Sequence, residues 1–209
     1  MIYDCTQTLT DNMSGYPGDP VTFRITTSQE NNIRISSFHI GAHVGTHIET
    51  SGHFYPDGRN ISSFSETNLL ATSLWLTCEP SKRGFALAPS IDIFSLPDAD
   101  WIFFRTGWSQ KWGISEYYRN FPGLEPSLVE DLCDSRFYGI GIDAPSIDAV
   151  NSEQNVYPNH LTWLSKDLFI IENLWVPKEV EDGKIYKTVI APLPVMEAEA
   201  SPVRVFQCD

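Results

Sequence analysis

Residues 43–54, HVGTHIETSGHF, carry His43, His47, Glu49 and His53, and so hold three of the chain's five histidines. All four stand at odd positions, so an extended backbone would project them to one side. Imidazoles and a carboxylate converging from one side of a backbone are a ligand set that suits a borderline divalent metal. The cluster contains no cysteine, whereas closed structural zinc sites lean on thiolate, so the pattern favours a catalytic ion over a structural one. The chemistry such an ion supports is hydrolysis. It lowers the pKa of bound water from about 15.7 to about 7, and it steadies the oxyanion that forms when a carbonyl is attacked. His53 has the side chain to take a proton from water near pH 7 and pass it to a leaving nitrogen.

Two backbone readings compete for this stretch. His39, His43 and His47 are four apart and would share a helix face. However, Gly41 and Gly45 interrupt the segment, and Val44, Thr46, Ile48 and Thr50 are β-branched. An extended strand bent at a glycine is therefore expected, and the helical HExxH zinc motif is excluded because Val follows His43. His39 is expected outside the site. His160, following Pro158-Asn159, reads by itself as a first-turn helix residue. Glu172 closes the apolar run LFIIE, and a carboxylate ending a buried strand is a common functional placement. Asp143 and Asp148, in GIDAPSID, are expected as turn and hydrogen-bonding residues first. Thr46 is a candidate for orienting a ligand.

The elements around these residues read as more strand than helix. Residues 2–9 alternate as a strand, and a turn-rich block runs to Pro20. The β-branched runs 21–27 and 33–40, separated by polar QENN, form a hairpin. Residues 71–78 and 101–106 read as buried strands, the latter apolar on both faces as in a covered sheet. A short helix is expected in 88–100, ended by Pro97. A second helix spans 126–134, with Pro126 in its first turn and apolar positions at 128, 129 and 132. A strand over 137–143 completes a strand–helix–strand unit. Residues 159–166 read as helix and 168–172 as strand. The proline-interrupted runs 187–195 and 201–207 suit edge strands. With no repeat, low-complexity tract or linker, the 209 residues suit one α/β domain, burying roughly 70% of its unfolded surface.

Composition narrows the partners. Fourteen Lys and Arg against 27 Asp and Glu give a net charge of −13. A nucleic acid or an anionic membrane surface calls for the opposite sign and a clustered basic face. No apolar run approaches the roughly 20 residues that span a bilayer. Cys5, Cys78, Cys133 and Cys208 follow no framework spacing, and no secretory leader pattern follows Met1, so reduced thiols in the cytoplasm are expected. A small-molecule substrate remains. Trp75, Trp101, Trp108, Trp112 and Trp163, with Phe54 and Tyr55 beside the motif, are candidates to line an apolar pocket for an aryl amide.

At this point the chain resembles the metal-dependent cyclase superfamily, which includes bacterial kynurenine formamidase and isatin hydrolase. The family motif HxGTHxDxPxHF is matched by residues 43–54. YDCTQTL with PGDP at 17–20 resembles the family's N-terminus, and RTGW at 105–108 and GIDAPSID at 141–148 resemble its middle. NHLTWLSKDLFIIENL, with His160 and Glu172, resembles its C-terminal ligand pair. The resemblance implies an α/β fold around a mixed, partly barrel-like sheet with flanking helices, in a homodimer or homotetramer. It implies one or two divalent ions, Zn2+ or Mn2+. His43, His47 and Glu49 would hold the first, and Glu49 with His160 and Glu172 the second, with His53 beside them as acid/base or ligand. Glu49 stands where the family has Asp, and Ser51 where it has Pro. The implied reaction is hydrolysis of an aryl formamide or a cyclic amide. The alternatives are a non-catalytic metal-binding member and a ring-forming cyclase or dehydratase.

Overall fold

The run WIFFR, apolar at four successive positions, sits at the centre of the structure because both of its faces are covered. In the computed structural model, which describes residues 1–19, 22–80, 85–87, 92, 95–149 and 156–209, strands β1 (Ile2–Asp4), β2 (Phe23–Glu30), β3 (Ile33–Ile40) and β4 (His47–Glu49) come first. They are followed by β5 (Leu70–Thr77), the short β6 (Glu79–Pro80) and β7 (Phe85–Leu87), then β8 (Trp101–Arg105) and β9 (Gly123–Leu124). Helix α1 (Pro126–Cys133) leads to β10 (Gly139–Ile142), and helix α2 (Pro158–Leu164) leads to β11 (Phe169–Glu172). The chain ends in β12 (Ile185–Pro192) and β13 (Ala200–Cys208).

Strands β5, β8, β10 and β11 are parallel neighbours. β12 joins antiparallel to β5, and β13 antiparallel to β12. β4 pairs antiparallel with both β11 and β13, which closes seven strands on themselves, and β1 adds alongside β13. Alternation along β8 explains its two apolar faces. Trp101 and Phe103 join Trp75, Ile48, Ile171 and Val205 in one buried cluster. Ile102 and Phe104 join Ile140, Ile170 and the helix residues Val129, Leu132 and Trp163 in the other. The same alternation carries the site: Ile48 and Ile171 share the first cluster, leaving His47 and Glu49 on the opposite face of β4, as Glu172 is on β11.

Several expectations shift in detail. The first strand stops at Asp4, because Thr6 makes only a single bridge to Leu174 and the Gln7 amide is drawn to Thr46 Oγ1 at 2.9 Å. β2 continues through Gln29 and Glu30. The hairpin turns on Asn31-Asn32 alone, with φ of 49° and 62°, the paired left-handed geometry that suits a two-residue hairpin loop. The proline-bearing C-terminal strands are not edges, because closure of the barrel gives β12 and β13 neighbours on both sides. Pro192 ends β12 and Pro202 lies near the start of β13. The helix expected in 88–100 falls largely outside the described residues. Asp143 behaves as a hydrogen-bonding residue: its carboxylate accepts from Thr106 N, Thr106 Oγ1, Gly107 N and Ser109 Oγ, tying the ends of β8 and β10. No helix among the described residues is long and apolar enough to cross a membrane.

Candidate metal centre

The motif at 43–54 is not one extended strand. Only His47–Glu49 is β-structure. His43 lies on a turn before it, Gly45 takes a left-handed φ of 71°, and Ser51–His53 form a 3-10 turn. Alternation therefore places only His47 and Glu49 together, while the bends at either end swing His43 and His53 to the same place. Gly45 is favoured at its bend by its left-handed φ, and a Cβ there would also displace the end of the Leu9 side chain, 2.5 Å away. Ser51, in the family's proline position, is buried. Its hydroxyl donates to Asp167 Oδ1 at 2.5 Å and accepts from Arg59 N at 2.8 Å, fixing the turn before His53 by hydrogen bonds.

All six predicted site residues line one cavity of about 370 Å3. The barrel register sets the centre, with His47 opposite Glu172 and Glu49 opposite Ile170, and α2 brings His160 over both carboxylates. Glu49 Oε1 lies 2.9 Å from His43 Nδ1 and 3.0 Å from His47 Nε2. Glu49 Oε2 lies 3.2 Å from His160 Nε2, and Glu172 Oε1 3.3 Å from that same nitrogen. His47 Nε2 is 3.7 Å from Glu172 Oε2. One ligand atom each from His43, Glu49 and His53 fall within 4.8 Å of one another, as do one each from His47, Glu49 and Glu172. Glu49 is common to both groups.

Three further residues hold these rings from behind, among them Asp148, which the sequence marked as a hydrogen-bonding residue. Asp148 accepts from His160 Nδ1 at 2.7 Å and from the backbone N–H groups of Asn159 and His160. The Gly45 carbonyl accepts from His47 Nδ1 at 2.9 Å and from Asn173 Nδ2 at 3.1 Å. Glu199, just before β13, is 3.1 Å from His43 Nε2. Thr46 acts one step further out, its hydroxyl donating to Asn173 O at 2.7 Å. Asp148 could be singled out from the GIDAPSID motif. No local signal points to Glu199, 156 residues from its histidine.

The electrostatics fit a cation. Four carboxylates, Glu49, Glu172, Glu199 and Asp148, surround His43, His47 and His160. Burial alone would raise the Glu49 pKa, but His160, His43 and His47 outweigh it and hold the carboxyl well below its ordinary range. Burial would lower His43, but hydrogen bonds donated to Glu199 and Glu49 push it up to about 10. His160 likewise stands well above its ordinary value, as Asp148 and Glu172 override its burial. Protons are thus drawn to the nitrogens that face the carboxylates, the place a divalent ion would take by displacing them. Glu49 Oε2 is buried, and its close polar neighbour among the described residues, His160 Nε2 at 3.2 Å, is outside hydrogen-bond geometry, so it is a donor atom of the kind an ion satisfies. His47 and His160 each have the second ring nitrogen tied to an outer acceptor, the usual arrangement of metal-binding histidine.

His53 stands at the exposed rim, its ring 4.3 Å from that of His43. Desolvation, with His43 and His160 nearby, pushes its pKa down to about 4, so it is neutral at pH 7 and not half-titrated as the sequence suggested. The aromatic wall also differs from expectation. Phe54 lines the cavity with Tyr16, Tyr118 and Tyr157, and none of the tryptophans does. Trp75, Trp101 and Trp163 are fully buried in the two cores, Trp108 packs against the helix-side core, and Trp112 donates to Thr8 O. Tyr55 is absent from the cavity lining and donates its hydroxyl to Leu161 O on α2 at 2.8 Å. His39 is exposed on β3 and takes no part.

Comparison with known proteins converges on one family. An uncharacterized protein of Methanocaldococcus jannaschii is 29% identical over 97% of this chain and 96% of its own length. The kynurenine formamidase of Bacillus cereus is 25% identical over 96% of this chain and 94% of its own. The fold matches isatin hydrolase A from Ralstonia solanacearum with a TM-score of 0.81 at 20% identity, covering 99% of this chain and 91% of that one. It also matches a predicted metal-dependent hydrolase from Bacillus stearothermophilus with a TM-score of 0.77 at 24% identity, covering 99% and 97%. Residues 3–149 match the Cyclase family, described as "Putative cyclase". With the family match spanning more than half its length, the chain belongs to the cyclase family.

Proposed function

We propose that the protein is a divalent-metal-dependent hydrolase of amides, acting on an aryl formamide or a cyclic amide in the manner of kynurenine formamidase. The observation that carries this reading is the convergence of His43, His47, Glu49, His160 and Glu172 on one cavity, with the Glu49 carboxylate within 3.2 Å of all three rings and His53 at the rim. The formamidase relatives, aligned over almost the whole chain, supply the reaction class. These five residues would hold one or two ions, Zn2+ or Mn2+, with Glu49 shared. A bound ion would supply Lewis acidity toward the amide carbonyl and an acidified water at neutral pH.

The chain's own groups do the rest. His53, solvent-accessible at the cavity rim, accepts a proton from water and returns it to the leaving nitrogen. Phe54, Tyr16, Tyr118 and Tyr157 present aromatic faces to a flat substrate, and Asp148 and the Gly45 carbonyl keep His160 and His47 aimed inward. The test is turnover of N-formylkynurenine and a panel of lactams and esters by metal-loaded protein. Hydrolysis of at least one amide is expected; none, with metal verified as bound, overturns the reading.

The resemblance also carries the proposal of a cytoplasmic homodimer or homotetramer. The exposed isoleucines of the β2–β3 hairpin support the oligomer, and four cysteines without a disulfide support a reducing compartment.

A further inference from the structure

The three histidines around Glu49 are fixed by unlike means. His47 is in a strand and His160 in a helix, and their outer acceptors, the Gly45 carbonyl and Asp148, are both buried. His43 lies on a turn, with its side chain 20% exposed. Its Nδ1 faces Glu49 Oε1 at 2.9 Å, and its Nε2 faces Glu199 Oε1 at 3.1 Å. The main chain at Glu199 is pinned independently of that carboxylate, since Glu199 O accepts from Thr50 N at 2.9 Å and Thr50 Oγ1 at 2.8 Å. The segment before β13 is thereby held against the end of β4 with its side chain directed across the barrel closure.

We propose that Glu199 is a positioning residue for His43. A neutral imidazole has one N–H donor and one lone-pair nitrogen. A carboxylate at Nε2 takes the proton there and leaves the Nδ1 lone pair facing Glu49 and an ion bound beside it, with raised basicity. Glu199 thus gives His43, on an irregular turn, the orientation that regular structure and buried acceptors give the other two rings. Without it, Nε2 is left to hydrogen-bond to water, and the ligand-competent tautomer is no longer selected.

The inference rests on the metal reading of the cluster, and its test therefore measures metal affinity instead of turnover. Zn2+ affinity would be measured by competition with a chromophoric chelator for the wild type, E199A, E199Q, H43A and the H43A/E199A double variant. E199A is expected to bind Zn2+ roughly 10- to 100-fold more weakly. E199Q, whose amide oxygen accepts the same hydrogen bond, loses less. In the H43A background the E199A change should cost under about 2-fold, because the carboxylate acts through that ring. A 1H–15N correlation of the His43 imidazole in Zn2+-loaded protein should show the Nε2–H tautomer in wild type and E199Q. Unchanged affinity in E199A overturns the proposal. So does an equal loss with and without His43, which would make Glu199 a ligand or a bulk charge. Should E199A fail to fold, affinity and tautomer in E199Q decide: an Nδ1–H tautomer in wild type or E199Q refutes the assignment. A chain that takes up no Zn2+ refutes both readings, whereas a Zn2+-loaded chain inactive on every amide refutes only the function.

Discussion

The cavity beside β4 and the β2–β3 hairpin invert the usual distribution of residues in opposite senses. In the cavity, Glu49, Glu172, His47 and His160 are each no more than 3% exposed. On the hairpin, Ile33, Ile35 and Phe38 are 63%, 59% and 63% exposed. Buried carboxylates are costly unless cations pair with them, and a projecting strand pair with apolar side chains on both faces is costly unless another surface covers it. Each inversion thus suits a complement proposed above: a cation for the first, a second copy of the chain for the second. They also differ in rigidity of definition. The cavity residues are fixed by barrel register, helix α2 and outer hydrogen bonds, whereas among the described residues the hairpin forms a separate two-stranded sheet.

The change with the largest expected effect on that contrast is Glu49→Ala. It removes the carboxylate common to both ligand groups, and metal affinity should fall by more than the roughly 100-fold that loss of an outer-shell partner costs, taking turnover with it. Elemental analysis after gel filtration checks this; full metal content would separate Glu49 from the ion. Next comes His53→Ala, expected to retain metal and lose roughly 10²- to 10⁴-fold in rate. An unchanged rate would remove His53 from the chemistry.

The pH dependence gives a more graded effect. With His43 at about 10 and His160 well above its ordinary value, both rings carry protons at pH 7 in the metal-free chain. Metal uptake must displace them, so affinity should rise by up to about tenfold per pH unit for each proton released. Calorimetry in buffers of different ionisation enthalpy counts those protons; affinity falling between pH 6 and 8 would contradict the charge state drawn for the cavity. Without metal the sign reverses. The raised pKa of His43 stabilises the fold fully below its unfolded value of about 6.5, and that contribution is lost as pH rises through about 10.

The smallest effect on the cavity is expected from the hairpin. Replacing Ile33 and Ile35 by Glu should shift the particle to a smaller mass by light scattering while leaving metal content as in the wild type. Loss of metal in this variant would show that the two regions are not independent. No change in mass would take the hairpin out of the assembly.

Much of the fold was legible in local pattern. Pro126 with apolar 128, 129 and 132 marked α1, β-branched alternation marked β2 and β3, and WIFFR announced a strand covered on both faces. The dispersed motifs indicated the family. What misled was the assumption of one backbone conformation across 43–54. The four odd-numbered side chains do converge, but only His47 and Glu49 do so by strand alternation, because Gly45 and the 3-10 turn at Ser51–His53 redirect the flanks. The tryptophans were similarly ambiguous, since a large apolar side chain suits a core and a pocket equally, and only packing assigned Trp75 and Trp101 to the barrel interior.

By itself, the sequence determined the strand-rich class and offered the ligand types of residues 43–54, because residue type and short-range spacing carry those properties. The pairing of His160 and Glu172 with the first motif came from the family resemblance alone. The tertiary structure decided three further things. Pairing of β4 with both β11 and β13 turned apparent edge strands into a closed barrel and set His47 opposite Glu172. Tyr16, Tyr118 and Tyr157 became the aromatic wall. Glu199, remote in the chain, came to lie behind His43. Each depends on contacts between distant segments, whose geometry is set by closure of the sheet and is not encoded in any local stretch.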